Sequence, residues 1–323
     1  MSLKHPPAEE YQIFALVQSF NRRALLEVAL DSFQKVLGSD ARFYLYVYDA
    51  GSTDGSIDYL KTFRDGSNAP ISIVTQPPKL SFSAGHNRLI QEVKKSAPRE
   101  ALILFYETDN AIKDREAIDQ AADLIRSGEA DAVGFTPLKH DGTRAAHGGA
   151  FPTKKEFLIG QRATRWLRKQ KDAQKIIPQD VFVTEVAFTS PPLVSLEMIV
   201  RIGGFDEKNF PFGHSDTDLC RRINDAGGSI VVLRSTSFIH DNLEQASEWS
   251  KGRVKDYHRA TFRLLEKHDG RFSLKERLLL MARHSVEIMA LGGLAPFSLA
   301  SRRKLVGRLE LLKSCLTGYD TQR

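Results

Sequence analysis

Four short apolar runs, each leading into a polar or acidic turn and then into residues with helical spacing, constrain this chain more than any other feature. The first, YQIFALVQSF at 11–20, reads as a buried strand, with Asn21 placed to cap a helix whose positions Leu26, Leu30, Phe33 and Leu37 share one side. RFYLYVYDAGSTDGS at 42–56 is a second strand running straight into a turn, and APISIVTQPP at 69–78 is a third. AGHNRLIQEV then begins another helix; EALILFYETDN at 100–110 is a strongly apolar strand ending in acid, and a helix over 113–127 leads to DAVGF. Strands alternating with helices at this interval predict a layered α/β fold around a mainly parallel sheet. Ligands of such sheets bind beyond the carboxyl ends of the strands, where Asp49, Glu107 and Asp109 fall.

Beyond residue 130 the periodicity weakens, and HDGTRAAHGGAFPTKKEF reads as loop and turn. Residues 157–171 read as a helix with a basic face of Arg162, Arg165, Arg168 and Lys169. GSIVVLRSTSFIHD reads as one strand ending at His240 and Asp241, and from Ala246 the pattern is helical to the end. The expected division is a catalytic domain over 1–245 and a helical, basic extension over 246–323. Charge follows this division: the chain carries +6, and residues 271–323 hold ten basic and four acidic side chains, so the rest is formally neutral. A neutral body with a basic end argues against nucleic acid as a partner and for a local interaction surface.

The two cysteines, Cys220 and Cys315, form neither a disulfide framework nor a metal cluster and suit a reducing compartment. MSLKHPPAEE offers no apolar core for a signal peptide. The apolar stretch 278–300 is interrupted by Arg283, His284, Glu287 and Pro296, whereas a membrane span needs about 20 mostly apolar residues. A cytoplasmic location is expected.

Several groups have the chemistry of a site. DAGSTDGS offers Asp49, Ser52, Thr53 and Asp54, suited either to holding a ribose, base or phosphate or simply to an Asx turn. Asn87 and Arg88 follow Gly85 at an expected helix start, where free amides attract anions. Glu107 and Asp109, two apart at the end of a strand, match the oxygen ligands that Mg²⁺ or Mn²⁺ requires, with His240 as a nitrogen ligand; the alternative is an acidic pair that caps the next helix. In NFPFGHSDTDLCRR, Gly213 and the aromatic run before it allow a tight approach, and Ser215 is a candidate N-cap for a helix carrying Asp216 and Asp218. One of these carboxylates is expected to face a cleft and the other to engage the fold, Arg221 or Arg222.

The ordered set VQSFNR, YDAGSTDGS, GHN, FYETDN, GGFDEKNFPFGHSDTDLCRR and FIH resembles glycosyltransferase family 2, in particular its bacterial rhamnosyltransferase-like branch, over residues 11–242. The resemblance implies a GT-A fold and an enzyme, usually inverting and dependent on Mg²⁺ or Mn²⁺, that takes a nucleotide-diphosphate sugar such as dTDP-rhamnose or a UDP-sugar. By position, Asp49 matches the family's nucleotide-binding aspartate, with Asn21, Ser52, Asn87 and Arg88 as further donor contacts. Glu107 and Asp109 match its metal-associated acidic motif, His240 a residue that touches metal or diphosphate, and Asp216 the catalytic base. Gly213, His214, Asp218 and Arg221 fall where acceptor contacts and supports lie. The chain departs from the pattern at Ala50, Glu107 and Ser215. The other readings are a metal-dependent nucleotidyltransferase and an inactive carbohydrate-binding or membrane-associated scaffold. For the C-terminal extension, with Leu278–Met281, Leu291, Leu305, Leu309 and Leu312 among basic residues, the partners are an anionic membrane surface, peripheral at the inner face of the plasma membrane, or a second copy. A glycan or lipid-linked saccharide is the implied acceptor.

Overall fold

A computed structural model describes residues 11–75, 80–144, 148–160, 176–177, 181–188, 192–235, 237–240, 253–294 and 299–317. The basic face over 162–169, Asp241 and the expected boundary at 245 lie outside the described residues. The chain divides into two compact units, one formed by residues 1–149 with 174–241 and the other by 150–173 with 242–323.

Along the first unit run β1 (Ile13–Ser19), α1 (Arg23–Leu37), β2 (Phe43–Asp49), α2 (Ser56–Gly66), β3 (Ile71–Thr75), α3 (Phe82–Val93), β4 (Leu102–Phe105), β5 (Asn110–Ile112), α4 (Glu116–Arg126), β6 (Ala132–Phe135) and β7 (Gly148–Gly149). After α5 (Lys154–Ile159), which belongs to the second unit, come β8 (Ile176–Ile177), β9 (Val181–Val183), β10 (Val186–Ala187), β11 (Pro192–Ser195), α6 (Leu196–Arg201), α7 (Ser215–Asp225), β12 (Ile230–Leu233) and β13 (Phe238–His240). The second unit closes with α8 (Arg253–Asp269), α9 (Leu274–Leu294) and α10 (Leu299–Thr317). No described helix is long and apolar enough to cross a membrane.

The central sheet has nine strands in the order β3-β2-β1-β4-β11-β6-β12-β9-β8. Only β11 and β9 run against the rest, so the sheet is mainly parallel. β1 is wholly apolar from Ile13 to Val17 because it lies between β2 and β4 and is covered on both faces. On one face α1 buries Leu26, Leu30, Phe33 and Leu37, the stripe read from the sequence, together with Ala29. Full burial of a side chain such as Leu30 or Phe33 contributes about 1.5–3 kcal/mol. On the other face α3 approaches β1 so closely that a Cβ on Gly85 would stand 2.4 Å from Gln18 Nε2.

The stretch read as a single strand to His240 is two. β12 ends at Leu233, and β13 leaves the main sheet to pair with β5, placing His240 opposite Asn110. Ser237 makes this turn: its hydroxyl donates to Asp114 Oδ1 at 2.5 Å and accepts from the Ala117 amide at 2.9 Å, while its carbonyl accepts from the Lys113 amide at 2.7 Å. Buried Tyr106 fixes the other partner, donating to the Ala29 carbonyl at 2.9 Å and lying 2.9 Å from Ser32 Oγ, which accepts from the Ile112 amide at 3.0 Å.

In the second unit α5 starts in a capping box between Thr153 and Glu156, and Phe157, Phe262, Leu265, Phe272, Leu280 and Leu311 form a core. Within it His284 Nε2 lies 3.2 Å from His258 Nε2, and His258 packs on the Phe157 ring at 4.5 Å. Glu287 Oε2 is 3.8 Å from His284 Nδ1 and 2.8 Å from Arg308 Nε. Burial holds His284 below its ordinary value, and His258 well below it with added repulsion from His284, Arg283 and Arg308. Both imidazoles are therefore neutral in the fold, and the unfolded chain binds more protons below pH about 6.5. Their contribution to stability is complete above that pH and is lost as pH falls toward their lowered values. Amide protection factors in α8 and α9 are expected to fall between pH 7.5 and pH 5, and His258→Phe is expected to flatten that dependence.

Candidate active site

The turn after β2 is organised by its own side chains together with Asn21 at the end of β1. Asp49 is fully buried; Oδ1 accepts from the amides of Gly51 at 3.0 Å and Ser52 at 2.7 Å, and Oδ2 accepts from Ser52 Oγ at 2.8 Å. Ser52 Oγ in turn accepts from the Asn21 amide at 2.8 Å, and Asn21 Oδ1 accepts from the Thr53 amide at 2.8 Å. Asn21 is therefore not a helix cap: it holds φ of 51° at the end of β1, the N-cap position is Arg22, and the amide side chain clasps the neighbouring turn. Left-handed backbone at Gly51 (φ 83°) and Gly55 (φ 85°) explains the two glycines. Asp49, read from the sequence as a direct nucleoside contact, has both oxygens engaged within this turn.

The expected metal group is only partly gathered. Asp109 Oδ1 stands 3.6 Å from His240 Nδ1, which lies 3.1 Å from Asn110 Oδ1. Burial pushes the Asp109 carboxyl above its ordinary range, with His240 and Arg22 opposing the shift and Glu107 adding to it. Glu107 turns toward His86, placing Oε1 3.2 Å from Nε2 but off hydrogen-bonding alignment, so both atoms are buried without a hydrogen bond. His86 Nδ1 faces the Phe82 carbonyl at 3.0 Å and so carries a proton. Among the described residues no group of three or more His, Cys, Asp or Glu surrounds one ion position. His86 escaped the sequence reading because a histidine inside a helical pattern looks like core, and it does pack on Phe82, Phe105 and Phe205.

Asn87 and Arg88 lie in the second turn of α3, not at its start, which is Phe82 behind an Ser81 cap. Asn87 accepts from the Phe205 amide at 2.8 Å and donates to its carbonyl at 2.9 Å, and Arg88 pairs with Glu92 at 3.1 Å. Both line a cleft of about 450 Å³ with Lys94, Ile199, Val200 and Glu207, a cleft lined by none of the strand-end carboxylates.

α7 separates the two aspartates. His214, at φ 60°, turns the chain into the helix, and Ser215 is its first residue, not its cap, donating to the Phe212 carbonyl at 3.0 Å. Asp218 is fully buried and accepts from Arg222 Nε at 2.8 Å, while Arg222 Nη1 donates to the carbonyls of Ile202 at 2.7 Å and Gly204 at 2.6 Å. Asp216 is half-buried, its Oδ1 accepting from the Thr217 amide at 2.7 Å. Burial lowers His214 to about 4, so its imidazole is neutral at physiological pH; Nδ1 lies 3.2 Å from Thr217 Oγ1. Gly213 precedes this turn and is half-buried, and Arg221 pairs with Asp225 at 3.4 Å farther along the helix.

The sequence profile described as Glycosyl transferase family 2 matches residues 15–181, just over half of the chain. The chain belongs to glycosyl transferase family 2. The matched span takes in Asn21, the Asp49 turn, α3 and Glu107–Asp109 and stops short of Asp216 and His240. No curated protein matches the chain in sequence. In fold it is similar to S. aureus TarS 1–349 in complex with UDP-GlcNAc, at TM-score 0.54 and 13% identity over 94% of this chain and 81% of that one. It is similar as well to the Pyrobaculum calidifontis mannosyltransferase PcManGT in complex with GDP-Man and Mn²⁺, at TM-score 0.55 and 14% identity over 95% and 86%. GalNAc-T7 with UDP, GalNAc and Mn²⁺ gives TM-score 0.55 and 12% identity over 77% of this chain but 47% of that one. The glycosyltransferase assignment comes from the family, and these structures share the GT-A fold.

The Asp218–Arg222 pair makes a stability prediction for this glycosyltransferase. Removing one partner of a buried pair leaves an uncompensated charge, so Asp218→Ala is expected to lose about 3–5 kcal/mol in denaturant titrations. Asp216→Ala, at the half-buried position, is expected to lose far less.

Proposed function

We propose that this family 2 glycosyltransferase moves a sugar, with inversion, from a nucleotide-diphosphate donor to a hydroxyl of a glycan or lipid-linked acceptor, with Asp216 as the base. The observation that carries the reading is the unequal state of two carboxylates in the first turn of one helix: Asp218 is wholly buried against Arg222, and Asp216 is only half-buried. The acceptor oxygen attacks the anomeric carbon from the side opposite the nucleotide. As the new C–O bond forms, the bond to the diphosphate breaks, the acceptor proton passes to Asp216, and nucleoside diphosphate leaves. Such a base works from about 2.6–3.2 Å. The neutral His214 and Thr217 hold the helix start without placing a second charge beside the base.

The donor set at Asp109 fits a hard divalent cation such as Mg²⁺ or Mn²⁺. Its carboxyl is pushed up by burial beside Glu107, and Glu107 Oε1 is a buried oxygen without a hydrogen bond. Asp109 would hold the ion, with help from His240 and, once its carboxylate turns from His86, from Glu107, and the ion would supply charge neutralisation for the departing diphosphate. The Asn21–Ser52–Thr53 clasp offers a preformed rim for the nucleoside, with Asp49 as the residue that shapes it. Its preferred donors are dTDP-rhamnose or a UDP-sugar, as the motif resemblance implies.

Thermal stabilisation by UDP-, GDP- and dTDP-sugars, with and without Mn²⁺, identifies the donor. With that donor, Asp216→Asn is expected to lower turnover by about 10²–10⁴ with donor binding retained. Turnover close to that of the parent protein removes Asp216 as base, and retention of configuration at the anomeric carbon removes the single displacement. Asp109→Asn is expected to abolish the Mn²⁺-dependent part of donor stabilisation; an unchanged Mn²⁺ effect moves the ion elsewhere.

A further inference from the structure

The inward side of α9 is already occupied, with Leu280 and His284 fully buried, but its outward side is not. Leu274, Leu278, Leu279, Val286 and Met289 are 74%, 54%, 51%, 60% and 69% exposed. Ala282, Ala290, Gly292 and Gly293 are exposed on the same helix, and Lys275 is its only charged residue in that class. Lys275, Leu279, Ala282, Val286, Met289 and Gly293 follow one another at alternating steps of four and three, the repeat that keeps a seam facing a partner helix.

The geometry points to a second copy of this chain as the occupant, its α9 packed antiparallel to the first across a two-fold axis near residue 284. In that register Leu279 meets Met289 of the other copy and Ala282 meets Val286, so that large faces large, small faces medium, and each contact occurs twice, as an isologous interface requires. Lys275 then lies opposite Gly293, with room for its stem; a parallel pair would set the two Lys275 ammonium groups against each other. A lipid surface suits the face less well. Interfacial helices combine a Lys- and Arg-rich polar face with Trp, Phe or Leu anchors, whereas the outward side of α9 has no aromatic residue, and the exposed cations Arg302, Lys304 and Lys313 sit on α10. The interface is small. A helix of 21 residues is about 30 Å long and about 10 Å wide, less than the roughly 800 Å² per partner of a standard interface. The association is therefore reversible and concentration-dependent.

Sedimentation velocity of the full chain over a range of concentrations tests this. The expected result is a monomer–dimer equilibrium that Val286→Glu and, independently, Leu279→Glu weaken by about tenfold or more, with the far-ultraviolet circular dichroism of the parent protein retained. An equimolar mixture of the Val286→Glu and Val286→Lys proteins is expected to associate again, because the two positions 286 lie about 6 Å apart along the paired helices on either side of the axis, within reach of a Glu and a Lys side chain. A monomer at every concentration overturns the proposal. A dimer indifferent to both glutamates, or a mixture that stays monomeric, also overturns it. If the monomer sediments with phosphatidylcholine–phosphatidylglycerol vesicles and Val286→Glu abolishes this, the face belongs to a membrane and not to a second copy.

Discussion

Ser19 stands opposite Asp49, and Leu16 opposite Phe105, because β1 is paired in parallel register with β2 on one side and β4 on the other. Side chains on a strand alternate between faces, so a slip of one residue would present to α1 the set that faces α3, Gln18 among it. That register ends β1 and β2 at one level and β4 three residues earlier, so that the turn after β4 begins beside the last residues of β1. The Asn21 corner, the Asp49 turn and the Glu107–Asn110 turn are thereby presented together. The clasp between Asn21 and Ser52 and the tie from Tyr106 to Ala29 follow from that placement.

The site separates like residues by environment. Asp216 and Asp218 belong to the same turn of α7, but one is half-buried and the other is fully buried against Arg222, whose guanidinium is itself held by two backbone carbonyls. Glu107 and Asp109 belong to the same turn after β4, but one looks to His86 inside α3 and the other to His240 on β13. Carboxylates two residues apart point in different directions by backbone geometry alone. Which partner each finds is decided by elements far away in sequence.

This explains what could be read in advance. The strands to Phe105, the apolar stripe of α1, the mainly parallel sheet and the polar turn after Asp49 follow from local pattern, and they were legible. The division between Asp216 and Asp218 was legible as an alternative, but Arg222 settles it only once its guanidinium is seen to brace Ile202 and Gly204. His86 carries no signal in a single sequence. Nor does the departure of β13 from the main sheet, since its apolar run continues the pattern of β12 and the bend depends on Ser237 meeting Asp114 and Ala117. The placement of α5 with the C-terminal helices is equally silent, because Phe157 reveals its partners only when Phe262 and Phe272 stack beside it.

Helix α3 is fastened along its length: Ser83 to the Phe210 and Pro211 carbonyls, Gly85 against Gln18, Asn87 to the backbone of Phe205, with His86 between them facing Glu107. It works as a splint between the turn that carries the buried acids and the stretch that leads into α7. A close-packed splint moves as one piece or not at all. Loosening any one of these ties therefore disturbs the seating of both stretches, although they lie far apart in sequence.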